Sequence, residues 1–201
     1  DKTGTLTANR LQLQETHALT VGQPEFDAIL GDMVASATTG NKTSEAIAAA
    51  RPGVTRPLAA EVPFSSARKW SAIAVAATDV ESSLHPGIYA LGAPEILRRL
   101  LEPAFAPGSD GWNAIAAWMQ SRTEQGLRVL LIAYAPDPSR LEDRGDDSTL
   151  PADMTPLGLI SLSDELRPDV DQALKAFHDA GVATKIISGD SPETVAALAR
   201  Q

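Results

Sequence analysis

Cysteine is absent from the 201 residues, which excludes a disulfide framework and any thiolate metal site. An excess of positive charge is absent too. Seventeen Lys and Arg stand against 26 Asp and Glu, a net charge of -9, and that balance argues against nucleic acid as the main partner. No apolar run approaches the ~18 residues of a membrane span. The longest, LRVLLIAYA from Leu127 to Ala135, is about half that and carries Arg128. No signal-peptide pattern opens the chain, so the polypeptide reads as soluble. The missing initial methionine reads as a cut from a longer protein. What is present is ordinary, with 43% hydrophobic and 21% charged residues, enough for one large or two small cores.

The apolar spacing divides the chain. NRLQLQE reads as a short half-buried strand through Leu11 and Leu13. PEFDAILGDMVASAT places Phe26, Ile29, Leu30, Met33, Val34 and Ala37 at helical spacing, and TSEAIAAA reads as a second helix with Thr43 as N-cap. SAIAVAA and GIYAL read as a hairpin around His85-Pro86-Gly87. APEILRRLL and GWNAIAAWMQSRTEQG read as helices, the second with Gly126 at C′, and LRVLLIAYA as a strand. Residues 136–156 are polar, acidic and proline-rich, a long loop. After them LGLISL, RPDVDQALKAFHDAG, VATKIIS and SPETVAALAR alternate as strand, helix, strand, helix, the pattern of a βαβ unit with a parallel sheet. The expectation is a mixed α+β domain over 8–156, an antiparallel sheet with flanking helices. It would be inserted in an α/β domain represented by 1–7 and 157–201.

Three short strings carry chemistry. SGD (Ser188, Gly189, Asp190) follows an apolar strand and precedes a helix, where α/β sheets bind ligands and exposed amides cradle phosphate; ordinary turn chemistry gives the same string. SDELRPD brings Asp164 and Arg167 close, which a helix cap and a surface ion pair also explain. DKTGTLT sets the carboxylate of Asp1 beside the ammonium of Lys2, the hydroxyls of Thr3 and Thr5, and a glycine. A carboxylate in that setting can attack a γ-phosphate and form an acyl phosphate.

DKTGTLT resembles the phosphorylation motif of P-type ATPases, the ion- and lipid-pumping membrane ATPases, and the resemblance continues in family order across nearly the whole chain. PFSSARKWSAIAV resembles the adenine-site segment, with Phe64 as stacking aromatic and Lys69 as a nucleotide-contacting lysine. LGAPE, with Gly92, is similar to KGAPE, and GLRVLLIAY to the strand whose arginine, Arg128, reaches the phosphates. Asp164 and Arg167 match the D-P-P-R motif, and Ser188 with Asp190 the T-G-D motif. Glu45 in NKTSEAI matches an acidic residue near the adenine. The resemblance implies a nucleotide-binding domain inserted in a haloacid-dehalogenase-like Rossmannoid phosphorylation domain. It implies ATP as ligand, Asp1 as phosphoryl acceptor, and Mg²⁺ held by Asp1 and the Thr3 carbonyl. The partners implied are the transmembrane and actuator domains of a parent pump at the cytoplasmic face of a membrane, with the transported cation bound elsewhere; calcium is the choice, and magnesium, manganese and protons stay open.

Scarce aromatics, 4% of the chain, favour a ligand role for Phe64 over a core one. A charge inside an apolar strand is costly unless paired, so Arg128 is expected at an edge position facing a ligand. Leu91 stands where the family has the lysine of KGAPE, which removes a charge from the adenine pocket. The strand expected before DKTGT and the GDGxND motif are not among these residues. The chain is therefore expected to bind nucleotide without turning it over, with an incomplete phosphorylation domain. Two other classes stay open: a soluble haloacid-dehalogenase-type phosphatase, against which Thr3 stands where D-x-D-x-T carries a second carboxylate, and a non-enzymatic nucleotide-binding module.

Overall fold

The computed structural model describes residues 7–77, 82–166, 175–176 and 179–182. Six strands form: β1 (Thr7–Ala18), β2 (Leu58–Ser65), β3 (Trp70–Val75), β4 (Gly87–Gly92), β5 (Arg128–Ala135) and β6 (Thr155–Leu166). They make one antiparallel sheet in the order β1-β6-β5-β4-β3-β2. From β2 to β6 each strand pairs with the next, the expected meander, and β1 closes on the far side of β6.

Helices cover both faces. On one lie α1 (Gln23–Ser36) and α2 (Lys42–Ala50), whose Phe26, Leu30 and Ile47 pack with Ile73, Tyr89, Ile132 and Ile160. On the other lie α3 (Pro94–Leu97) and α4 (Asp110–Thr123), whose Leu97 and Ile115 meet Ala72, Ile88, Leu131 and Leu159. Alternate residues of the central strands thus feed two separate cores.

The β1 register decides how both layers dock. Leu13 faces Leu162, but Glu15 faces Ser161, so Gln14 is an extra residue in a bulge that reverses the alternation. Before it, Leu11 and Leu13 pack on the α1/α2 side. After it, Glu15 accepts two hydrogen bonds from the Arg122 guanidinium of α4, at 2.6 and 3.1 Å, and His17 stacks on Trp118. Thr16 then points back to α1, where its hydroxyl donates to Asp27 at 2.7 Å.

Three expectations are corrected. LGLISL does not open a parallel unit. It lies in β6, antiparallel to both β1 and β5, and Leu159, Ile160 and Leu162 are buried on both sides. A strand buried on both faces reads as a continuous apolar run whichever way its neighbours point. The expected boundary at Pro156 therefore falls inside a strand. The N-cap of α2 is Asn41 rather than Thr43: its side chain accepts from the Thr43 and Ser44 amides while Ser44 bonds back, a capping box. Arg128 opens an interior strand, so it reaches an end of the sheet and not a lateral edge. The helix expected from 167 is helical at 175, 176 and 179, with Gly181 at φ 72 after it. The strand and helix expected over 183–200 lie outside the described residues.

The connection from α2 to β2 is pressed against α1. Asp32, buried in α1, accepts from the Val54 amide at 2.7 Å and the Ser83 amide at 2.8 Å, and Gly53 lies directly on Gly31. A Cβ on Gly53 would sit 2.1 Å from the Gly31 carbonyl carbon. Gly53→Ala should therefore destabilise the fold by about 1–3 kcal/mol through overpacking. Urea unfolding measures this, and an unchanged midpoint contradicts the contact.

Candidate functional site

Antiparallel pairing gathers the last residues of β2, β4 and β6 with the first of β1, β3 and β5. Ser65 faces Trp70, Trp70 faces Gly92, Gly92 faces Leu131, Arg128 faces Leu162 and Thr7 faces Leu166. Thr7, the first described residue, and Leu166, the residue before Arg167, are therefore adjacent. They lie at the end of the sheet that carries Lys69, Gly92, Arg128 and Asp164.

Local chemistry shapes this end. The turn from β2 to β3 brings Lys69 to φ 62, the left-handed region, with its amide bonded to Ser65 O at 2.7 Å and its carbonyl accepting from Ala93 at 3.0 Å. That carbonyl lies only 3.0 Å from where a Gly92 Cβ would be, and Trp70 Cβ 2.6 Å from it, so Gly92 is glycine for close approach. Arg68, missed in the sequence reading, anchors the turn. Its guanidinium lies 5.2 Å from the Trp70 ring centroid, donates to Pro63 O at 2.6 Å and pairs with Asp146 at 3.1 Å. Ser65 Oγ donates to the same carboxylate at 2.8 Å, which ties the long loop to the turn.

Beside the turn is a small cavity that opens to solvent. Met33, Val34, Ala37, Ile73 and Leu91 make its apolar wall, and Thr39, Asn41, Ser44, Glu61 and Ser71 its polar side. Phe64 lines it and is 53% exposed, so it is not a core aromatic. The pairing of β2 with β3 shifts register between Val62 and Ser65, and this irregularity is what re-aims Phe64. Leu91 is 8% exposed and belongs to both the cavity and the α1/α2 core.

Of the expected nucleotide residues, Phe64 lines the cavity, and Lys69, Gly92 and Arg128 stand at the same sheet end. Glu45 does not line it: it is exposed on α2 and paired with Lys42 at 3.0 Å, while its neighbour Ser44 faces the cavity. Asp164 is half-buried in β6, two residues beyond the Arg128 register. Asp1, Lys2, Thr3, Arg167, Ser188, Gly189 and Asp190 lie outside the described residues. Among the described residues no cluster of His, Asp or Glu is arranged to hold a metal, and no helix is long and apolar enough to cross a membrane.

One family model, haloacid dehalogenase-like hydrolase, matches residues 1–201. The chain belongs to that family. Among its haloacid dehalogenase-like relatives are the calcium-transporting ATPase CtpE of Mycobacterium tuberculosis, 34% identical over 205 residues, and the probable cation-transporting ATPase exp7 of Streptococcus pneumoniae, 30% identical over 204. These alignments cover 99% and 100% of this chain but only 22% and 23% of the relatives. The chain thus spans less than a quarter of their length. The crystal structure of a zinc-transporting PIB-type ATPase shares the fold, with a TM-score of 0.54 and 20% identity. The match covers all of this chain and 26% of that one.

Glu61 is the other residue the sequence reading passed over. Partial burial by itself would raise its pKa. The hydroxyls and amides of Thr38 and Thr39 all donate to its carboxylate and together outweigh burial, holding the pKa below the ordinary 4.5. A depressed carboxyl pKa contributes stability that is complete above the unfolded value and is lost as pH falls through the folded one. Stability should therefore decline on acidification below 4.5, and Glu61→Gln should flatten part of that decline. Denaturant midpoints for both proteins across the acid range measure the effect; parallel profiles contradict it.

Proposed function

We propose that this chain is the nucleotide-binding and phosphorylation region of a P-type cation-transporting ATPase, in which ATP binding leads to an aspartyl phosphate on Asp1. The observation that carries this is the convergence at one sheet end of the Phe64 cavity, Lys69, Gly92 and Arg128 with the two segments leading to DKTGT and to Arg167. Phe64 stacks on the base. Lys69 and Arg128 offset phosphate charge on the way to Asp1. On this reading the sheet through β6 is the nucleotide-binding domain, and 1–6 with 167–201 belong to the phosphorylation domain.

The residues fit ATP. The cavity offers an apolar wall, a half-exposed aromatic and a side-chain-free Gly92 beside cationic groups. The Mg²⁺ ligands of the reading, Asp1 and the Thr3 carbonyl, fall outside the described residues; the ion would neutralise charge on the phosphoryl oxygens. Ser188, Gly189, Asp190, Asp164 and Arg167 complete the phosphate site of the reading. The names of the calcium-transporting relatives support calcium as cargo, and the membrane and actuator domains of such a pump are the partners.

Leu91 in place of a lysine keeps the affinity modest, with Kd on the order of 0.1–1 mM, or about 4–5.5 kcal/mol. Calorimetric titration with ATP should show this, and Phe64→Ala should weaken binding about tenfold, the worth of one base–aromatic stack. Submicromolar affinity, or binding indifferent to Phe64, contradicts the reading. In the longer protein, Asp1→Asn should abolish acid-stable, hydroxylamine-sensitive labelling from γ-labelled ATP; label that persists places the acceptor elsewhere.

A further inference from the structure

Glu61 faces the cavity, where a carboxylate would ordinarily be taken as a group that reads the ligand. Its bonding says otherwise. A carboxylate has about four acceptor sites, and Thr38 and Thr39 fill them with two amides, at 2.9 and 3.1 Å, and two hydroxyls. No acceptor site is left for a ligand donor.

What these four bonds hold is specific. Thr38 and Thr39 follow directly on the last turn of α1, and after Gly40 the chain reaches Asn41, the N-cap of α2. Thr38, Thr39, Gly40 and Asn41 are all exposed, and apolar packing does not fix them. Glu61 stands on β2, opposite Ile73 of β3 and three residues before Phe64. Its carboxylate is thus a strut between the strand that carries Phe64 and the turn that carries Thr39 and Asn41 and leads to Ser44 of α2, the polar side of the same cavity. The capping box of Asn41 and Ser44 then passes that placement into α2.

Resting on the nucleotide reading above, we propose that Glu61 is a positioning residue for the nucleotide pocket. It does not touch the ligand; it sets the separation between Phe64 and the N-terminal end of α2, and so the width of the slot that receives the base. Glu61→Gln keeps the size but turns an amide NH₂ toward donors. The hydroxyls can rotate to accept, whereas the backbone amides cannot.

The test uses adenosine and ATP with the 201-residue chain, so that base and phosphate contributions separate. Three variants are compared with the unaltered protein: Glu61→Gln, the double variant Thr38→Val with Thr39→Val, and Phe64→Ala. Binding is read by calorimetry, and amide exchange at residues 38–44 and thermal midpoints are measured alongside.

Positioning predicts that Glu61→Gln and the double threonine variant each weaken adenosine and ATP by the same factor, about tenfold for a lost charge-assisted bond. Amide exchange at 38 and 39 rises in both. A carboxylate that contacts the ligand predicts the reverse for the threonine variant, because freeing its acceptor sites would preserve or tighten binding. That result, or wild-type affinity in Glu61→Gln while Phe64→Ala is impaired, overturns the positioning role and leaves the nucleotide reading standing. Unaltered protein that binds neither adenosine nor ATP overturns both. A variant whose only change is a lower thermal midpoint, with affinity per folded molecule intact, also overturns it.

Discussion

The structure depends on β6 being paired on both sides. Its run LGLISL is apolar at almost every position, so it is stable only where both faces and both edges are covered, and the gap between β1 and β5 provides that. From this one placement the two helical layers acquire separate cores. The pairing of Thr7 with Leu166 follows from it too, and brings the strand ends nearest DKTGT and Arg167 side by side.

The same end of the sheet is built for close approach. Gly92 has no room for a side chain, Lys69 adopts a left-handed conformation, and Arg68 with Asp146 fixes the turn from behind. Backbone irregularity is concentrated where Phe64 is released from the β2 register and left half-exposed. The pairings of β3 with β4 and of β4 with β5 run without a shift of register, a stiff scaffold beside an adaptable edge.

Much of this was legible in the sequence for identifiable reasons. The period of α1, the hairpin of β3 and β4, and the run of β5 each reflect one dominant apolar pattern, and each formed where expected. DKTGTLT and its companion strings pointed to the family because they are specific as strings, independent of any fold. What was illegible depends on distant pairs. β2 alternates weakly and carries Pro63, so it did not read as a strand, yet it survives as the sheet's lateral edge, where a missing amide is tolerated. The bulge at Gln14 has no local mark. Asn41 and Thr43 are both good caps, and only the reciprocal bond from Ser44 decides between them. Glu61 carried no signal in the sequence because its partners, Thr38 and Thr39, lie more than twenty residues earlier.

The central claim is that the cavity beside Phe64 and the adjoining sheet end are one nucleotide site. Amide chemical-shift mapping during an ATP titration tests it most directly. The account predicts saturable shifts at Ser44, Phe64, Lys69, Leu91, Gly92 and Arg128, with the α4 face around Ile115 unaffected. Shifts centred on α4, or none at the cavity while ATP is shown to bind, would contradict it.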